Sequence, residues 1–270
     1  MPRMVLGLAY DGGQWLGWQT QTGGRTVQDT LEDALGQFLA QPTATICAGR
    51  TDTGVHALAQ VVHLDTPVER RIESWVRGLN ALLPDSIAIQ WAQPVADEFH
   101  ARFSAQARTY IYLVRNARVR SPLLQGRVGW VYHPLTLGPM RQAAGRLVGT
   151  HDFSGFRSSQ CQAASPIRTI EALNVEQHGE FFTFTFKANA FLHHMVRNLM
   201  GALLYIGQGR QPAHWIEDLL AHRDRRLAAP TFSPHGLYLA KVEYPSQYRL
   251  PDVNASAAFL SHLGFSIPTS

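Results

Sequence analysis

Apolar positions along the chain switch between two periods. Residues 5–10 (VLGLAY) form a short apolar run of strand length, and the turn-rich DGGQWLGWQTQTGG that follows carries two tryptophans, Trp15 and Trp18, expected at the surface. From Val27 the spacing lengthens: Val27, Leu31, Ala34, Leu35, Phe38 and Leu39 recur three and four apart, behind a Thr26 N-cap with Asp29 three residues on. That predicts one amphipathic helix. Residues 43–48 and 58–64 read as strands, 72–83 as a helix stopped by Pro84, and 86–92 as a strand. The order β-α-β-β-α-β is that of a split βαβ, ferredoxin-like unit.

The second half repeats the order with longer insertions. Residues 108–115 alternate as a strand that 128–132 extends, 138–147 read as a helix, and 167–176 with 180–187 as a hairpin across His178-Gly179. Residues 190–206 give the longest helix, 212–221 another, and 237–242 a closing strand. The fold class expected is α+β: two ferredoxin-like halves joined into one broad, mostly antiparallel sheet, with helices on one side and a cleft between the halves that would house the site. The expected divisions are 1–103, 104–250 and a tail, 251–270, of weak pattern.

Bulk properties narrow the classes. A chain of 270 residues with 45% hydrophobic positions has enough apolar material for a sizeable core. The longest apolar stretch, MVRNLMGALLYI, is broken by Arg197 and Asn198 and is shorter than the ~18 residues a membrane span needs. A cytoplasmic protein without a membrane segment is expected. Two distant cysteines, Cys47 and Cys161, make neither a disulfide framework nor a zinc motif. Net charge is +4, unevenly spread: residues 1–103 hold 7 basic and 11 acidic groups, residues 104–270 hold 17 and 9. Between Phe99 and His151 there is no acid, yet eight arginines occur, the footprint of a polyanion partner.

Candidate chemistry centres on GRTDTGVHA, residues 49–57. Gly54 permits a turn that other residues resist, Thr51 and Thr53 can bond it, and Asp52 is thereby held where strand geometry changes. Arg50 lies two residues away. His193, His194, Arg197, Asn198 and Gly201 form a polar stripe free of Glu and Lys on an apolar helix. An arginine there must find its anion elsewhere, and pairing with Asp52 would keep a nucleophilic carboxylate ionised. In RTYIYLV, residues 108–114, Arg108, Tyr110, Tyr112 and Val114 share a face that can stack on a base. FHARF (Phe99, His100, Ala101, Arg102, Phe103) repeats that logic less strongly. FFTFTF, uncharged, reads as core, and His56, His63 and His151 as structural. Three functions compete at this level: an aspartic-protease-like dimer, which would need a second Asp-Thr-Gly; a noncatalytic RNA-binding module; and an enzyme acting on a nucleobase through one aspartate.

GRTDTGVHA, FHARFSA (99–105), ARTYIY (107–112), NAFLHHMVRN (189–198) and GLYL (236–239), in that order, resemble the tRNA pseudouridine synthases of the TruA family. The resemblance spans residues 5 to about 250. It implies a homodimer without cofactor or metal that isomerises uridine to pseudouridine at positions 38, 39 and 40 of the tRNA anticodon arm. It further implies Asp52 as nucleophile, Arg197 as its partner, Tyr110 as the residue that stacks on the uracil and acts on a proton, and Arg50 as the residue holding the nucleotide out of the stem. FHARF, Arg118 and the run Gln160, Cys161, Gln162, Ala163 and Ala164 resemble stretches that touch tRNA. Two positions depart from the pattern: Thr53 stands where the family often has Ala, and Ile111 where it often has a basic residue.

Overall fold

The computed structural model describes residues 2–252 and residue 259. Among them the fold is α+β, with five α-helices and a ten-stranded, mostly antiparallel sheet. In chain order the elements are β1 (Arg3–Tyr10), α1 (Val27–Leu39), β2 (Ile46–Cys47), β3 (His56–Asp65), α2 (Ile72–Leu82), β4 (Ile87–Val95), β5 (Ala107–Asn116), β6 (Gly129–Val131), α3 (Leu137–Leu147), β7 (Gly149–Asp152), β8 (Ile167–His178), β9 (Phe181–Ala188), α4 (Met195–Gly207), α5 (Trp215–His222) and β10 (Leu237–Glu243). They divide into two compact units, one reaching Gln106 and resuming at Tyr238, the other from Ala107 to Leu237.

In the first unit β3 is the spine. It is antiparallel to β1, which is antiparallel to β4. The opposite edge of β3 is shared by β10, parallel at His56 and Ala57, and β2, antiparallel at Val62 and His63. Helix α1 begins as its sequence demands: the Thr26 hydroxyl oxygen accepts the Asp29 N–H at 3.2 Å and donates to the Asp29 carboxylate at 2.5 Å. Val27, Leu31, Ala34, Leu35 and Leu39 are its buried face. Trp75 of α2 meets Phe38 edge-on at 5.3 Å, and Gly78 lets that ring close in, since a Cβ there would lie 2.6 Å from it. Trp18, expected at the surface, is instead buried against Tyr10.

The second unit orders its strands β5-β9-β8-β7, with β6 parallel to β5. Residues 128–132 therefore do not prolong β5; they return beside it. The FFTFTF run buries Phe182, Phe184 and Phe186 in β9, and the hairpin to β8 turns at His178–Gly179 as expected. Eleven of the 13 residues of α4 are buried, so its leucines and methionines each contribute roughly 1.5–3 kcal/mol of hydrophobic stabilisation. It starts at Met195 rather than residue 190, because His194 adopts a left-handed backbone (φ 62°) that no helix interior accommodates. It equals α1 in length.

The units differ from the divisions 1–103 and 104–250 at the far end. Tyr238 onward groups with the first unit because β10 pairs with β3 and because Tyr244 and Tyr248 pack on Phe99 at ring distances of 5.0 Å. The tail 251–270 lies mostly outside the described residues. Among the described residues no helix is long and apolar enough to cross a membrane.

Candidate active site

In the first unit, residues 48–55 link β2 to β3 and carry Asp52 part-exposed between the exposed Arg50 and Thr53. The turn closes by the Val55 N–H donating to the Asp52 carbonyl at 3.0 Å, and Gly54 takes the positive φ (79°) that the motif predicts. Thr51 and Gly49, on the N-terminal side of the aspartate, are held by hydrogen bonds. Trp18 N–H donates to the Thr51 carbonyl at 3.0 Å, and Tyr10 Oη lies 2.8 Å from Thr51 Oγ1 in a buried contact. Gln60 donates to the Gly49 carbonyl at 2.7 Å. Gly12 and Gly17 bring the 12–18 loop onto this turn: a Cβ would stand 2.0 Å from the Val55 carbonyl at the first and 2.7 Å from the Thr51 carbonyl at the second. The carboxylate is thus presented on a rigid frame, as a nucleophile or general base requires.

Next to this turn, His56 Nδ1 accepts the Gly12 N–H at 3.0 Å and its ring stacks on Tyr238 at 4.7 Å. That is the structural role expected of it. Burial pushes the Cys47 thiol up to about 11, so it stays a thiol at neutral pH. The FHARF stretch splits by burial. Phe99 and Ala101 are fully buried in a cluster with Val5, Ala48 and Val61, while His100 is part-exposed and Arg102 and Phe103 (75%) are exposed. Arg102 lies over the Phe103 ring at 5.4 Å, and His100 is 4.4 Å from it. His63 accepts the Ala101 N–H at 3.1 Å; burial, helped by Arg3, depresses it to about 4, and burial likewise lowers His100.

In the second unit Tyr110 is nearly buried (9% exposed) and meets Phe191 edge-on at 5.2 Å. Tyr112, on the same face of β5, is fully buried with its hydroxyl donating to the Ser233 carbonyl, so it is core. Arg108 donates to the Asn189 carbonyl at 2.8 Å. Arg197, part-exposed in the first turn of α4, donates from Nε to the Phe232 carbonyl at 3.0 Å, and Phe232 N–H returns to the Arg197 carbonyl at 3.1 Å. This clamp fixes the guanidinium plane. Arg118 is exposed beyond β5, and residues 160–164 form an irregular, largely exposed run whose Cys161 N–H donates to the Ser158 carbonyl.

The polar stripe inferred for α4 does not exist as a surface. His193 and His194 precede the helix, Gly201 packs against the Pro230 carbonyl, and Asn198 is buried. Asn198 donates to the Phe156 carbonyl at 2.7 Å and accepts from Thr231 at 2.6 Å and Arg225 at 3.1 Å. This knot ties α4 to the 153–157 turn and to residues 225–232, and so to the carbonyl that holds Arg197. Sequence reading missed Arg225, Thr231 and, in the first unit, Gln60. Only Gln60 had a signal, a lone amide inside the apolar strand HALAQVVHL.

A family model described as tRNA pseudouridine synthase matches residues 8–104 and 143–245. The chain is 63% identical over 268 residues to a tRNA pseudouridine synthase A of Bordetella petrii, covering 98% of this chain and all of that one. It is 56% identical over 253 residues to that of Herminiimonas arsenicoxydans, covering 92% of each. Against a solved structure of a Cbf5-Nop10-Gar1 complex the TM-score is 0.40 at 12% identity; 96% of this chain spans just over half, 57%, of that one, a likeness too loose to bear on the assignment. With the family model matched over most of the chain and near-full-length relatives at 56–63% identity, the chain belongs to the tRNA pseudouridine synthase family.

Proposed function

We propose that this protein isomerises uridine to pseudouridine at positions 38, 39 and 40 of the tRNA anticodon arm, with Asp52 as the nucleophile. The reaction breaks the C1′–N1 bond, turns the freed uracil and forms C1′–C5; N1 gains a proton and C5 loses one, so no atom or electron is exchanged with a cofactor. Asp52 attacks either C1′ or C6 of the base, and its carboxylate leaves again when the product forms. The observation that carries the reading is the turn itself. The part-exposed Asp52 sits on a turn whose flanking residues are held by Tyr10 and Trp18 at Thr51, by Gln60 at Gly49 and by the close approach of Gly12 and Gly17.

Arg197 is proposed as the guanidinium that pairs with Asp52; its clamp to Phe232 supports a fixed orientation. Tyr110 is proposed to stack on the extruded uracil and to act on the C5 proton, with Arg50 holding the nucleotide outside the stem. Extrusion costs a few kcal/mol, which stacking at about 1–3 kcal/mol and phosphate contacts offset. His100, Arg102, Phe103, Arg118 and the 160–164 run are proposed to touch tRNA; the buried Phe99 and Ala101 would act only by shaping that loop. A cytoplasmic homodimer is proposed from the same resemblance, and light scattering during gel filtration checks the dimer. The test of function is release of tritium from tRNA carrying C5-tritiated uridine: wild type releases it and Asp52→Asn does not. Release by the variant at the wild-type rate removes Asp52 from the chemistry.

A further inference from the structure

In the second unit a polar cleft of about 760 Å³ opens between the 154–159 turn, the start of α4 and the 223–231 segment. Four of its lining residues are arginines: Arg157, Arg223, Arg225 and Arg226. Three of the guanidiniums are engaged. Arg226 forks onto Asp224 at 2.6 and 3.0 Å, and Arg223 Nε lies 3.5 Å from Asp152. Arg225 turns inward to Asn198 and Thr231, each at 3.1 Å. Among the described residues Arg157 has no side-chain hydrogen bond or ion pair, though it is only part-exposed.

Four guanidiniums against Asp224 in the lining and the neighbouring Asp152 leave the cleft positive, and Ser154, Ser158 and Ser159 add hydroxyls to its lining. A planar guanidinium fork with adjacent hydroxyls fits the oxygens of a phosphodiester and suits no apolar ligand. The cleft also has a defined place relative to the proposed chemistry. Ser158 N–H donates to the His193 carbonyl at 3.0 Å, and His194, three residues before Arg197, is part of the lining. We propose that this cleft seats a backbone phosphate of the RNA substrate next to the reacting nucleotide, with Arg157 as its principal ligand. The location beside the reacting nucleotide rests on the role proposed for Arg197.

The test is direct tRNA binding by fluorescence anisotropy over a salt series, with pseudouridine formation followed in parallel by mass spectrometry. Arg157→Gln is expected to weaken binding by roughly three- to tenfold and to lower the slope of log Kd against log salt by about one. Arg157→Gln combined with Arg223→Gln should lower it further, with the loss of activity carried mainly in KM. Arg210→Gln, which removes an equal charge beyond the other end of α4, should leave Kd and slope as in wild type. Unchanged affinity and slope for both Arg157 variants overturn the proposal, as does an equal loss in Arg210→Gln, which would signify net charge alone. Inorganic phosphate that raises the melting temperature of wild type but not of Arg157→Gln, with tRNA binding unaltered in the variant, would assign the cleft to a free anion and also overturn it. Wild-type protein that binds tRNA yet makes no pseudouridine would refute the proposed function alone, since the cleft is read by affinity.

Discussion

Asp52 owes its position to groups that grip the peptide around it rather than to its own side chain's shape, so an isosteric replacement should leave the turn intact. Asp52→Asn is expected to lower turnover by at least about 10³-fold while tRNA still binds, because the amide keeps the shape and removes the proposed nucleophile. Arg197→Lys keeps a cation but cannot offer the Nε–H that Phe232 accepts; a roughly 10- to 100-fold fall in kcat with a small change in KM is expected from single-turnover and steady-state assays. His63 gives a stability signature. Its folded-state value, about 4, lies below the ordinary 6.5, so between those values the unfolded chain holds more protons than the native one. Stability is therefore full above pH 6.5 and falls as pH drops toward 4, and thermal melts across that window should show it. His63→Gln, which retains an acceptor for Ala101 N–H, should flatten the profile. At this scale the turn at residues 51–54 was legible because it needs Gly54, whereas the inward face of Asn198 was not, since polarity in a sequence does not say which way a side chain turns.

Elements with strong periodicity were readable: α1 from its Thr26 cap and apolar spacing, α2 up to Pro84, and the β8–β9 hairpin from its alternation. Four-residue β7 has too few positions to show a period, and the start of α4 is set by the backbone of His194, which composition does not encode. The 12–18 loop is the least visible contributor, because its function is to let glycines approach the Asp52 turn. Gly17→Ala should expose that dependence. With φ at 93° and a Cβ 2.7 Å from a backbone carbonyl, it is expected to cost about 1–3 kcal/mol in denaturant melts and to depress kcat more than KM.

For the molecule as a whole, charge asymmetry predicted a polyanion partner before any motif did, and that remains the property to measure. If about six phosphates are contacted, tRNA affinity should fall on the order of 10³-fold between 50 and 200 mM salt. An affinity insensitive to salt would contradict a backbone-dominated interface. What the sequence did not disclose is where the first unit ends, because a pairing between residues 56–57 and 238–239 leaves no local trace. That long return has a consequence during synthesis. The bay of β3 at His56 and Ala57 stays unoccupied, and Phe99 lacks its covering tyrosines, until nearly nine-tenths of the chain has left the ribosome. The unit that carries Asp52 is thus completed after the other, and a nascent chain stalled before Leu237 would offer an open β-edge to any neighbouring strand.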